Sequence, residues 1–351
     1  MKKTLNQFFF TCFSCIFLLL LLFNSKECIS LASNGLLIWY RNMIPTLFPF
    51  MVLSGFMIKT GLSMKIGLLL QPILGLIFRL PPQMLYAIFM GFLCGFPMGA
   101  KIVADMLEKG QITPKEGEYL LAFCNNIGPL YMLGYVIPLF NYKNIWTVLG
   151  LMYLIPLGYG LFLRYFSSLS FTDFYSHKKT NKTISNPSEV KRNFFFHKTS
   201  ATNTLLACSY NKNSNTSSTF LLCFQQALTS AIEQITLLGG CMVFFNCLLI
   251  FPFQLDNLLS KTAFKVHSGL IQGILCSLIE IGGGLKLLAA SLSGNTEIFT
   301  KIFLPLSLLT FGGISCVAQT CFILKNTDLK ISTYIKHKFI QTCIFIILIF
   351  I

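Results

Sequence analysis

Charge is what this chain has little of. Only 11% of its 351 residues are Asp, Glu, Lys or Arg, less than half the roughly 25% of an ordinary soluble domain. Histidine is scarcer still, and His177, His197, His267 and His337 are too dispersed to make a metal-ligand cluster. No metal and no other cofactor is expected. A phosphate-binding glycine–lysine loop is missing, which leaves a pump ATPase unsupported. No serine or histidine stands in an arrangement that suggests a nucleophile, so an enzyme is not expected. The short-period alternation of a β-barrel is missing as well.

What the chain has is apolar length. Hydrophobic residues make up 54% of it and its mean hydropathy is +0.69. Repeated apolar windows of about 20 residues predict an all-α polytopic membrane protein of about eight to ten segments. The formal charge of +15 does not call for nucleic acid. Much of it lies in loops beside apolar segments, where basic residues favour the cytoplasmic side and anionic lipid headgroups are the nearest partner. Most of the thirteen cysteines are scattered through apolar stretches. Cys12 and Cys15 are spaced as CxxC but lie inside an apolar run, where they read as small hydrophobes.

The chain divides into an N-terminal membrane half, 1–168, a basic polar linker, 169–219, and a C-terminal membrane half, 220–351. Lys2 and Lys3 precede the run FFFTCFSCIFLLLLLF. This reads as an uncleaved first span with the N-terminus inside, because the small-residue cleavage pattern of a signal peptide is poor. Trp39 and Tyr40 suit a membrane interface, and Pro45 and Pro49 predict a broken or kinked helix. A weak span over 67–80 ends at the double proline, Pro81 and Pro82. The linker, rich in Ser, Asn, Thr and Lys, is expected in the cytoplasm. Lys325 to Lys338 reads as another basic turn, followed by a last span from about Phe339. That turn falls on the wrong side of a simple alternating count, so one segment is expected to be re-entrant or interfacial.

The most informative stretch is the hairpin over 84–136, and within it Gly91 to Gly134. Gly91, Gly95, Pro97 and Gly99 interrupt one apolar segment, and Asn125, Asn126, Gly128 and Pro129 interrupt the next. In hydrocarbon, irregular backbone is tolerated only where it is buried in protein or lines a wet cavity. Between the two segments, Lys101 and Asp105 are four apart and suited to a structural ion pair. Thr113, Pro114 and Glu116 form a capping-box start for the second helix. The two asparagines have two roles open to them: to satisfy backbone groups freed by the break, or to read the polar edge of a ligand.

A coarse echo follows in the second half. Glu280 precedes Ile281, Gly282, Gly283 and Gly284, with Lys286 just beyond, and a carboxylate among apolar turns is costly unless paired, hydrated or functional. LLAFCNNIGP, over Leu120 to Pro129, is matched by LLTFGGISCVAQ, over Leu308 to Gln319, broken at Gly312 and Gly313. Paired interruptions in two halves point to a transporter-like central site and suit an inverted repeat. The candidate substrate-binding residues are Asn125, Asn126, Glu280 and Gln319. The glycines and prolines at the breaks are candidates for close packing and gating.

FPF at 48–50, GFPMGAKIVADMLEKGQIT, YLLAFCNNIGPLYMLG, IEIGGGLK and LLTFGGISCVAQT together resemble the sporulation membrane proteins of the nucleoside-recognition, or Gate, domain family. The resemblance spans most of the chain outside the linker. It implies a multi-pass cell-membrane protein of an endospore-forming bacterium, needed for normal spore formation. The Gate domain is similar to part of the concentrative nucleoside transporters and to segments of the ferrous-iron transporter. By that likeness the partners are the lipid bilayer, a small polar solute, a coupling cation and other sporulation membrane proteins. In the family pattern a threonine commonly stands where this chain has Gly282, so a ligand donor beside Glu280 is lost. Two functions follow: a transporter or channel-like protein for a small polar solute, or a non-transporting scaffold for spore-envelope assembly.

Overall fold

A computed structural model describes residues 2–166, 216–259, 268–292 and 298–348. Nearly all of the polar linker, 169–219, therefore lies outside the described residues. Among them the chain is entirely helical, without a strand.

The first layer is long and lies at the periphery. Helix α1 (Lys2–Phe23) leads into α2 (Ser25–Ile38), which passes through a π-helical turn at Trp39–Met43 into α3 (Ile44–Lys59). The expected break at the prolines does not occur, and Ser25–Lys59 runs as one 35-residue span. Pro45 and Pro49 both lie inside this continuous helix, and the π turn just upstream takes up the misfit at Pro45. Trp39 donates from Nε1 to the Ile235 carbonyl at 2.8 Å, so its polar end is used inside the bundle.

Helix α4 (Leu62–Leu70) continues through a π-helical turn into the short α5 (Leu76–Phe78). After the double proline, α6 (Pro82–Cys94) leaves at 90° to Leu62–Phe78. The carbonyls freed at this corner are taken by one neighbour. Arg164 donates to the carbonyls of Phe78 at 3.1 Å and Arg79 at 3.3 Å, and the Tyr165 hydroxyl to that of Ile77 at 2.6 Å.

The centre holds α7 (Met98–Glu108), α8 (Pro114–Cys124), and the short helices α9 (Pro129–Tyr131) and α10 (Ile137–Phe140), joined by a π-helical turn. The capping box at the start of α8 is formed by Thr113 and Glu116, and the Lys101–Asp105 pair is closed at 2.6 Å. Around this centre lie α11 (Ile145–Phe166), α12 (Thr216–Cys247), α13 (Ile250–Leu259), α14 (Ser268–Ile279), α15 (Ile281–Ser291), α16 (Ile298–Phe311), α17 (Gly313–Leu324) and α18 (Ile331–Ile347). Most of α6, α7 and α8 is buried. Large apolar side chains such as Phe23, Leu69, Leu76, Trp146 and Phe166 face outward. In water so much exposed apolar surface would drive association; in a bilayer it is the lipid-facing surface of a multi-pass membrane protein.

Among the described residues five helices are long and apolar enough to cross a membrane, or six if the bent pair Leu62–Phe78 and Pro82–Cys94 is one span. That is fewer than the eight to ten expected. Part of the difference lies in shorter apolar helices, Gln7–Phe23 and the two arms of a hairpin. Helices α14 and α15 have 12 and 11 residues, about 17 Å each, against a hydrocarbon core of about 30 Å. They pair antiparallel: a Cβ on Gly273 would meet Leu288, one on Gly284 would meet Ser277, and Ser291 donates to the Gly269 carbonyl at 2.8 Å.

A second correction concerns the basic turn. Helix α18 begins at Ile331, so Lys336 and Lys338 are helical, and Lys338 is fully buried.

Close approach within the α14–α15 hairpin should be sensitive to a single methyl group. A Cβ at Gly284 would lie 2.2 Å from the Ser277 nitrogen, whereas one at Gly158 meets nothing within 4 Å. Gly284→Ala is expected to destabilise the protein by about 2 kcal/mol or more. Gly158→Ala, in open space on a helix, should be neutral or stabilising by up to about 1 kcal/mol. Thermal unfolding in detergent micelles separates them; equal melting points would show that the arms relax freely.

Candidate functional site

Four chain interruptions meet inside the bundle. One is the turn Gly95–Pro97 between α6 and α7, which includes a cis Phe96–Pro97 bond. The second is Asn125–Gly128, between α8 and α9. The third is Glu280, between α14 and α15, and the fourth is Gly312, between α16 and α17. They stack in pairs. A Cβ on Gly95, where φ is +84°, would fall 2.2 Å from the Gly128 nitrogen. One on Gly313, where φ is +75°, would fall 2.9 Å from the Ser277 carbonyl oxygen. Only glycine combines that backbone with that contact.

Each break frees donors and acceptors that have no water to turn to. The cap residue of α7 is Pro97, which offers no side-chain acceptor. Asn125 supplies one from another helix: its Oδ1 accepts from the Ala100 N–H at 3.3 Å. Its Nδ2 donates to Thr320 Oγ1 at 3.2 Å and to the Tyr334 hydroxyl at 3.1 Å. One residue thus ties α8 to α7, α17 and α18. At the end of α8, the Phe123 carbonyl accepts from Asn126 Nδ2, and the Ala122 carbonyl from Gln341 Nε2 at 2.6 Å. The Ile127 carbonyl accepts from the Tyr153 hydroxyl at 3.1 Å. The asparagines thus make capping bonds, one of the two roles open to them, and neither role excludes the other.

Glu280 is the N-cap of α15. Its carboxylate accepts from the Gly282 N–H at 3.1 Å and the Gly283 N–H at 2.7 Å. Asn246 Nδ2, on α12, is a third donor at 3.2 Å. The positive end of a helix thus faces the carboxylate. Lys286 is not its partner; among the described residues the ion pair is Lys101–Asp105. Gln319 donates to Ser315 Oγ at 3.0 Å.

A cavity of about 40 Å³ lies between these breaks, room for a few waters. Glu280, Gln319, Phe96, Gly128, Tyr131 and Thr46 are among its walls, which are otherwise mostly apolar. Asn125 and Asn126 do not line it. Among the described residues the buried Tyr131 hydroxyl finds no hydrogen-bond partner, nor does Asn246 Oδ1 beside the carboxylate. Unpartnered buried polar atoms are uncommon in native proteins. Their presence here gives the Glu280 region unused capacity for both donating and accepting.

Sequence reasoning missed Lys338. Its Nζ donates to Asn126 Oδ1 at 2.6 Å and stands 5.0 Å from the centre of the Phe96 ring. The signal was present as spacing: Tyr334, Lys338, Gln341 and Phe345 are four, three and four apart and form the buried face of α18. Asn246 and Tyr131 gave no comparable signal, being single polar groups in apolar helices.

A family model described as nucleoside recognition, Gate, matches residues 40–143. That stretch includes α6, α7 and α8 and the first two interruptions. Over 320 residues the chain is 26% identical to the sporulation integral membrane protein YlbJ of Bacillus subtilis (strain 168), covering 88% of this chain and 74% of that protein. No solved structure matches.

Asn125 should be the costliest amide to remove. Asn125→Ala deletes three buried hydrogen bonds and strands the Ala100 N–H, an expected loss of about 2–4 kcal/mol. Thr229→Ala, which removes an exposed bond to Gln225 within one helix, should stay within about 0.5 kcal/mol. A melting comparison in which the two variants fall together would show that the asparagine network carries no stability.

Proposed function

We propose that this protein is a membrane transporter for a small polar solute, bound between the hairpin turns and the helix breaks. The observation that carries the reading is the Glu280 carboxylate: it is buried at the cavity wall, held by a helix end and Asn246, with no basic side chain paired to it and the Tyr131 hydroxyl at that wall unpartnered among the described residues. A buried charge of this kind inside a membrane bundle is a functional site by default. In this role Glu280 takes a donor group of the solute, or a coupling cation, while Gln319 and Tyr131 orient the solute. The glycines at the breaks allow the close packing that opening must undo.

The same reading treats the chain as two related halves. Helices α6 and α7 with the break after α8 form one set, and α14 and α15 with the break after α16 form the other. Both broken helices end just past a Leu-Leu-x-Phe step, at Phe123 and Phe311. Paired hairpins and broken helices suit an inverted repeat around a central site. The matched family description makes nucleosides the first solutes to test, and the relative's name supports a role in the membranes of a sporulating cell. At about 40 Å³ the cavity is closed to a solute of that size, so a hairpin must move to admit it.

The same small volume favours a second reading, a non-transporting scaffold for spore-envelope assembly in which these groups only lock the helices together. Reconstitution decides between them. Purified protein in liposomes should exchange labelled uridine or adenosine. Glu280→Gln should cut that exchange by about tenfold or more, the equivalent of about 1.4 kcal/mol, without lowering membrane abundance. Normal exchange by this variant would remove Glu280 from the site. A wild type that moves neither solute but captures other sporulation membrane proteins on crosslinking would support the scaffold.

A further inference from the structure

Lys338 is carried into the bundle by α18, and among the described residues no carboxylate meets it there. Its two contacts, Asn126 Oδ1 at 2.6 Å and the Phe96 ring at 5.0 Å, occupy equivalent places in the chain. Phe96 stands two residues past the end of α6 at Cys94, and Asn126 two residues past the end of α8 at Cys124. The C-terminal end of a helix carries about half a negative charge, an amide oxygen accepts, and a ring face attracts a cation. An amide oxygen and a ring face, each two residues beyond the end of a broken helix, are the makings of a monovalent-cation site, since broken helices hold ions within membranes. Here the ammonium of Lys338 fills it.

The surroundings fit that assignment. The titratable groups facing the amine are the thiols of Cys124 from α8 and Cys316 from α17. On α18 itself, Tyr334 is bonded to Asn125, while His337 is bonded to Tyr159 of α11 at 2.7 Å. Helix α16 contributes only Lys301, near its start. Among the described residues no carboxylate pairs with Lys338. Phe96 also forms part of the cavity wall, so one ring stands at both the amine and the chamber that holds Glu280.

We propose that Lys338 is a built-in coupling cation: its ammonium takes the place between the first hairpin turn and the first helix break that a free sodium or potassium ion would otherwise occupy. This rests on the transporter reading of the cavity. Protonated, Lys338 clamps the turn to the break through a charge-assisted bond, roughly twice as strong as a neutral one. When Phe96 moves aside, the ammonium gives one proton to cavity water on one side of the membrane and the neutral amine releases its hold. It regains one proton from water on the other side, so each cycle moves one proton and no metal ion.

Two measurements test this. In lipid nanodiscs at constant ionic strength, the wild type should melt at the same temperature in sodium, potassium or N-methylglucamine chloride. Lys338→Ala empties the site and should melt at least about 3 °C lower, and sodium or methylammonium should restore at least half of the loss. Lys338→Met fills the space and should show no such rescue. A wild type that needs sodium or potassium for stability would overturn the proposal, as would a Lys338→Ala variant that none of these cations restores. In liposomes, a pH gradient alone should drive wild-type accumulation of labelled uridine, and Lys338→Met should reduce it at least about tenfold. Sodium-dependent accumulation, or accumulation by Lys338→Met equal to the wild type, would also overturn it. If the wild type moves no solute, the transporter reading fails, and the melting series alone then decides whether Lys338 substitutes for a free cation.

Discussion

The interior depends on one constraint: where a helix stops inside hydrocarbon, each freed backbone group must find a partner within the protein. Three of the four interruptions meet that demand with side chains, in different ways. The N-terminus of α15 is capped by its own Glu280, and that of α7 by Asn125 from a different helix. The end of α8 is closed by Asn126 and by Gln341 of α18. Glycines let these irregular segments touch backbone to backbone. The two buried ionisable groups are met differently: Glu280 by the N–H groups of the helix it caps, and Lys338 by the Asn126 amide oxygen and the Phe96 ring.

This division explains which parts were legible in the sequence. The stretch Gly91 to Gly134 announced its breaks because Gly, Pro and paired Asn have few other uses in an apolar helix, and the capping box at Thr113 is a local rule satisfied by local residues. Glu280 stood out as an acid in an apolar run. The partners of these groups were hidden because they come from far along the chain: Tyr334 bonds Asn125 across 209 positions and Lys338 bonds Asn126 across 212. Lys338 was also disguised by its neighbours, since Lys325, Lys330 and Lys336 make the region look like a basic loop. The Pro45–Pro49 segment misled for a different reason. A π turn one step upstream absorbed the misfit at Pro45, so the helix runs on through both prolines.

The two charged groups differ in what a movement would cost. Two of the three hydrogen bonds to Glu280 come from the helix it caps, so α14 and α15 could move together and keep the carboxylate largely satisfied. The bond to Asn246 is the one that crosses to another element. Lys338 is the reverse case, since both its contacts lie on other elements. Displacing the first turn from the first break therefore exposes a buried ammonium, a cost of several kcal/mol unless its charge is lost or solvated. The Glu280 carboxylate thus keeps most of its bonds within one hairpin, whereas the Lys338 amine bridges the first turn and the first break from a third element.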